Sequence, residues 1–80
     1  MVSTEFVNYY LSVISKDKFL LEKYYYLNRY ISLNKIITEY ANDIYDDIEN
    51  QNEIEVLITE DIMYNPSGIL NYYIKKYYNY

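Results

Sequence analysis

One stretch of four residues, Asn65-Pro66-Ser67-Gly68, holds the only glycine and the only proline of this 80-residue chain. The remaining sequence therefore lacks the two residues that most often interrupt regular structure. Apolar residues also recur every three or four positions through most of the length, which is the spacing of amphipathic helices. We predict an all-α fold, a compact bundle of four or five short helices that forms a single domain over residues 1–80.

The length and the residue types limit what can stabilise such a bundle. A chain of this size buries only roughly 60% of the surface that its unfolded state exposes. Cys and His are both absent, so neither a disulfide nor a zinc site of these ligands can add support. We expect well-formed helix packing and association between copies to supply the missing stability.

Targeting signals are also missing from the sequence. The longest apolar runs are only a few residues, whereas a membrane-spanning helix needs about 20. The amino terminus does not have the basic and then apolar segments of a signal peptide. We expect a cytoplasmic protein, located in the host cell if it is viral, with no membrane partner.

Capping residues and apolar stripes predict the first two helices. Ser3 or Thr4 can cap a helix that ends near Ile14, and Ser15 can start a second helix with Asp17 in its first turn. The second helix carries apolar residues at spacings of four, three and four, as in an antiparallel helical hairpin. These residues are Leu20, Tyr24, Leu27 and Ile31.

A third helix is predicted with two opposite faces. Its apolar stripe consists of Ile37, Ala41, Ile44 and Ile48, and its acidic face of Glu39, Asp43, Asp46 and Asp47. At 1.5 Å per residue, the carboxylates would form a row on the order of 12 Å long. No lysine or arginine is interspersed among them, so we expect an uncompensated acidic face.

The segment after this helix permits two interpretations. Ile54, Val56 and Ile58 alternate as in a strand, so residues 53–59 could form a short one, but helical spacing and a capping box from Asn52 to Glu55 favour a helix. In the last helix, Asn65 is the predicted cap and Pro66 the first residue. Its predicted buried residues are Ile69, Leu70, Tyr73, Ile74 and Tyr77.

Charge is distributed in blocks along the chain. Nine carboxylates and no basic side chain lie between Lys35 and Lys75, although the net charge is only −5. A one-sided acidic surface suits a basic partner. We predict that this surface binds a basic surface of another protein, one that handles nucleic acid. The predicted binding residues are Glu39, Asp43, Asp46, Asp47, Glu53, Glu60 and Asp61.

The residue types present in the chain argue against catalysis. Without His and Cys, the chain has no ordinary general base near neutral pH and no thiol nucleophile. A single glycine excludes a phosphate-binding glycine loop. Asp43, Asp46 and Asp47 could hold Mg²⁺ together with substrate phosphates, but we prefer a solvated face. We predict a protein that is not an enzyme and uses no cofactor or metal.

Direct nucleic-acid binding is a weaker alternative. The amino-terminal half interleaves cations with aromatic rings, a combination typical of single-strand binding. However, the sequence pI is near 4.5, and the acidic half would repel a phosphate backbone. The tyrosines and two lysines at the carboxyl end could similarly indicate an interfacial membrane helix, but two lysines are too few for anionic lipid.

Tyrosine is unusually frequent, with 14 residues. Asn, Ile and Lys are also common while Gly, Pro, Ala and Arg appear once each, which is typical of an A/T-rich coding sequence. Coding bias therefore accounts for much of the excess, and exposed tyrosines can also be scattered singly in water. If they gather instead, they would form an interface. The candidate interface aromatics are Tyr25, Tyr26, Tyr30, Tyr72 and Tyr78.

Two functional hypotheses follow. In the first, a phage- or virus-encoded inhibitor uses its acidic face to occlude the nucleic-acid-binding surface of a host or defence protein, its carboxylates standing where phosphates would lie. In the second, the chain is a homo-oligomeric structural or regulatory protein whose Tyr- and Ile-rich faces pack between copies.

Overall fold

The computed structural model describes residues 3–78, and they form five α-helices. These are α1 (Thr4–Ile14), α2 (Lys18–Asn28), α3 (Leu33–Ile44), α4 (Gln51–Tyr64) and α5 (Gly68–Tyr78). No strand occurs among the described residues, so the predicted all-α bundle is confirmed. None of the five helices has both the length and the apolarity needed to cross a bilayer.

Residues 53–59 lie inside α4, so the possible strand is not formed. The helical spacing decides the outcome, because Ile58 and Ile62, four residues apart, are buried in the core. Val56, which a strand would place on the same face as Ile58, is 59% exposed. The alternation of Ile54, Val56 and Ile58 therefore does not indicate a strand, because the helix buries Ile58 and leaves Val56 in solvent.

Three predicted features of the helix starts differ from those in the structure. Asp17 is the cap of α2 and lies outside its first turn; its carboxylate accepts from the backbone N–H of Phe19 at 2.9 Å and of Leu20 at 3.2 Å. Asn50, and not Asn52, caps α4. The last helix begins two residues later than predicted, because Asn65 still closes α4 through its N–H.

The core lies where α1 and α5 meet the other helices. α3 and α4 each pack against both α1 and α5, whereas α2 packs mainly on α1. Two predicted core positions are wrong: Ile44 is 42% exposed because it is the last residue of α3, and Tyr77 is 52% exposed at the edge of α5. The buried residues are Tyr10, Ile14, Leu20, Leu27, Leu33, Ile36, Ile37, Ala41, Ile58, Ile62, Ile69, Leu70 and Tyr73.

Tyr10 ties the first helix to the turn before the last. Its side chain is fully buried, and its hydroxyl donates to the backbone carbonyl of Pro66. Burial raises the pKa of the Tyr10 hydroxyl far above its ordinary value. A buried tyrosine needs such a partner, so this bond fixes where α5 begins relative to α1.

Candidate protein-binding surface

The acids of the predicted acidic face lie in three different settings within the structure. Glu39 and Asp43 on α3 contact a lysine, Asp61 on α4 contacts tyrosines, and the other acids lie in solvent. We call the exposed group the acidic surface. It consists of Asp46, Asp47, Glu49, Glu53 and Glu60.

Lys76 of α5 is the centre of the first setting. Its Nζ lies 2.9 Å from Oε1 of Glu39 and 2.5 Å from Oδ2 of Asp43. The hydroxyl of Tyr72 also donates to Asp43, at 2.6 Å, and that of Tyr77 to Glu39. The expectation that no basic side chain meets this helix face is therefore wrong, since α5 packs on α3 and brings its own lysine.

These contacts change the electrostatics of the group that we call the Lys76 cluster: Lys76, Glu39, Asp43, Tyr72 and Tyr77. Hydrogen bonds to Asp43 and then to Glu39 raise the pKa of Lys76 above its ordinary range. The bonds from Lys76 and then from Tyr72 lower the pKa of Asp43. A partner would have to compete with Lys76 for both carboxylates.

Asp61 forms the second setting. It is half-buried and accepts hydrogen bonds from the hydroxyls of Tyr40, at 2.8 Å, and Tyr45. Burial, followed by the bond to Asp61, raises the pKa of Tyr45 to about 12 and moves that of Tyr40 in the same direction. Asp61 therefore joins α4 to α3, and its Oδ2 accepts both hydroxyls within the fold.

The acidic surface itself is built on a turn. α3 ends at Ile44, so Asp46 and Asp47 lie in the connection of residues 45–50 and not on the predicted helix face. Glu53 and Glu60 are seven residues apart on α4, which places them on one helix face about 10 Å apart. In the described part of the chain, ion pairs are formed by Lys76 alone. None of the five carboxylates forms an ion pair there.

A cleft lies beside the acidic surface, between α3 and α4. We call it the α3–α4 cleft; it encloses about 350 Å³. Its apolar walls come from Ala41, Ile48, Ile54 and Ile58, with the ring of Tyr45, and its polar rim from Thr38, Asn42, Asp46 and Gln51. Sequence reasoning missed this cleft. The available signal was Ala41, the only alanine of the chain, in a stripe otherwise made of isoleucine.

The candidate interface aromatics divide into two groups. Tyr26 contacts Tyr30 and Tyr78, with ring centroids 6.2 and 5.6 Å apart. Phe19, which sequence reasoning did not select, lies on the same stripe of α2 as Tyr26 and is 73% exposed. We call Phe19, Tyr26, Tyr30 and Tyr78 the aromatic patch.

The remaining two aromatics lie elsewhere. Tyr25 is exposed and contacts Tyr24, with ring centroids 5.8 Å apart. Tyr72 belongs to the Lys76 cluster and also packs on Tyr40, with centroids 5.6 Å apart. Only part of the predicted aromatic interface is therefore brought together.

A metal centre is not formed by the acids that the structure describes. Over residues 3–78, no three acidic side chains come together in a geometry that could hold an ion. Asp43 is held by Lys76 and Tyr72, away from the turn that carries Asp46 and Asp47.

Comparison with known proteins gives no information about the role of this surface. Comparisons of the chain with protein-family models, with curated proteins and with solved structures each found no match.

Proposed function

We propose that this protein is a non-enzymatic binding module whose acidic surface docks on a basic surface of another protein. The partner is a protein that handles nucleic acid, and docking occludes the site where phosphates would bind. The A/T-rich composition favours a phage- or virus-encoded inhibitor of a host or defence protein. One observation carries the proposal: Asp46, Asp47, Glu49, Glu53 and Glu60 are all exposed and form no ion pair within residues 3–78.

The contrast with the Lys76 cluster supports this choice of surface. Where α5 crosses α3, the chain supplies its own cation to Glu39 and Asp43. Around the turn of residues 45–50 the chain supplies no cation that pairs with the acids. Solvent or a partner must therefore offset the repulsion among these carboxylates. A basic surface would gain both rapid association and correct orientation from such a field.

The test is capture of proteins from a nuclease-treated lysate of the likely host, followed by elution with salt. The double variant Asp46→Asn/Asp47→Asn removes two charges from the acidic surface. Its matched control, Glu5→Gln/Glu22→Gln, removes two exposed charges elsewhere. We expect wild type and control to retain a basic protein that salt releases, and the double variant to lose it, because screened charge contacts dominate such binding.

The captured protein must then lose its own nucleic-acid binding when the wild-type chain is added. Equal capture by the double variant and the control would contradict the proposal. So would a captured protein that binds nucleic acid undisturbed in the complex.

The aromatic patch favours a second candidate function, a homo-oligomeric structural or regulatory protein. Phe19 and Tyr30 are 73% and 68% exposed, Tyr26 contacts the rings of Tyr30 and Tyr78, and exposed aromatic groups of this kind are typical of interfaces. Under this hypothesis, Phe19→Ala/Tyr30→Ala shifts an oligomer towards monomer in sedimentation velocity. The control Tyr64→Ala, which alters a 78% exposed tyrosine of α4, leaves the oligomer intact. A wild-type chain that is monomeric at all concentrations contradicts it.

A further inference from the structure

We infer that the α3–α4 cleft receives an arginine side chain of the partner protein. The inference rests on the proposed function, because it names the group on the partner that the acidic surface recognises. It adds a specific anchor to a surface otherwise described only by its charge.

The cleft is large enough to admit a long side chain. Pockets for cofactors and drug-sized ligands usually measure about 300–1,000 Å³, so about 350 Å³ lies at the small end of that range. The cleft exists because α3 and α4 pack chiefly against α1 and α5. The small side chain of Ala41 leaves the intervening space open.

The chemistry of the walls changes from the bottom of the cleft to its mouth. Ala41 and Ile58 are buried and Ile54 is half-buried, so the inner surface is apolar. Asn42, Asp46 and Gln51 are exposed at the mouth. An arginine matches this order, since its three methylene groups pack on apolar surface while its charged end stays near polar groups and water.

The acceptors at the mouth match the donors of a guanidinium group. That group carries five N–H donors and no acceptor. Asp46 offers a carboxylate, and the side-chain amides of Asn42 and Gln51 offer neutral oxygens around it. A lysine ammonium is more strongly hydrated and has fewer donors, so arginine is the better occupant. Arginine is also enriched among the residues that dominate interface energies.

The experiment measures binding of a fluorescent octa-arginine peptide by anisotropy at physiological salt, with octa-citrulline as its neutral counterpart. Two adjacent acids provide a matched pair, because Asp46 lines the cleft and Asp47 does not. We expect Asp46→Asn to weaken binding about tenfold through loss of a charge-assisted hydrogen bond. Asp47→Asn should weaken it less than about threefold, as for an exposed rim charge.

A third variant, Asn42→Leu, changes the mouth of the cleft without changing charge, because it removes one neutral acceptor and adds apolar bulk. Asn42 is exposed on α3, so circular dichroism should show an intact fold while the apolar side chain narrows the mouth. We expect weaker octa-arginine binding, and no binding of octa-citrulline to any form.

Equal losses from Asp46→Asn and Asp47→Asn would overturn the anchor, as would full affinity in Asn42→Leu. Either result leaves the proposed function standing if the double variant still loses its basic partner in the lysate capture. A double variant that keeps that partner defeats the proposed function itself, whatever the peptide shows.

Discussion

Lys76 alters the electrostatics of α3, where Asp43 and Glu39 lie 33 and 37 residues before it in the sequence. Glu39 and Asp43 are one turn apart on α3, where two like charges destabilise a helix. The Lys76 ammonium lies between them, and the hydroxyls of Tyr72 and Tyr77 donate to the same oxygens. Removing this one cation would leave two carboxylates facing each other beside α5.

We therefore expect Lys76→Met to lower the melting temperature by several degrees, more than Lys75→Met does. Lys75 is the natural control because it is exposed, adjacent and also in the last turn of α5. Both changes remove the same favourable interaction with the helix dipole. The measurement is thermal unfolding by circular dichroism at low and high salt, and the gap between the variants should narrow in high salt. Equal melting temperatures at low salt would show that the cluster adds no stability.

At the scale of helices, the described starts differ in how their caps are made. Asp17, Ser32 and Asn50 accept hydrogen bonds from backbone N–H groups through their side chains. Ser3 stands at the start of α1 in extended conformation but makes no such side-chain bond. The three caps that bond therefore satisfy first-turn backbone donors for which Ser3 offers no side-chain acceptor in α1.

This difference predicts unequal costs of removing caps. Asp17→Ala and Asn50→Ala should each lower the free energy of unfolding by about 1 kcal/mol, the usual cost of losing a capping side chain. Ser3→Ala, the control, should cost clearly less because no bond is lost. Urea titration followed by helical circular dichroism gives the three values. A Ser3→Ala cost as large as the other two would refute the assignment of the caps.

The local sequence predicted the limits of the helices better than it predicted the contacts and spaces between them. α1 begins and ends where Ser3 and the apolar spacing placed it, since short-range signals decide such limits. The pairing of Glu39 with Lys76 depends on how α5 crosses α3. The α3–α4 cleft has the same origin, because it is a space between helices that touch other neighbours more closely. No single-helix pattern contains that information.

Over the whole molecule, tyrosine hydroxyls link the helices to one another. Tyr10 joins α1 to the turn before α5, Tyr40 and Tyr45 join α3 to Asp61 of α4, and Tyr72 joins α5 to Asp43. In each pair the hydroxyl is the donor and must keep its proton. The fold therefore depends on tyrosine protonation to an unusual degree for a chain of this size.

That dependence predicts loss of stability in alkali. Burial raises the folded-state pKa of Tyr10, Tyr40 and Tyr45 above the ordinary value of 10.0, to about 12 for Tyr45. A raised pKa stabilises the fold fully below pH 10, and this stability is lost as the pH rises through the folded value. The raised pKa of Lys76 acts in the same direction. Urea titrations should show the free energy of unfolding falling steadily from about pH 10 to pH 12.

Tyr45→Phe identifies the source of that loss. The variant lacks one hydroxyl with a raised pKa, so its stability should start lower at neutral pH and fall less steeply above pH 10. Tyr64→Phe, which alters a tyrosine 78% exposed on α4, is the matched control and should keep the wild-type slope. If Tyr45→Phe and wild type lose stability at the same rate between pH 10 and 12, the hydroxyl of Tyr45 does not link α3 and α4 through Asp61. The alkaline sensitivity would then belong to other tyrosines of the core, with Tyr10 the first to examine.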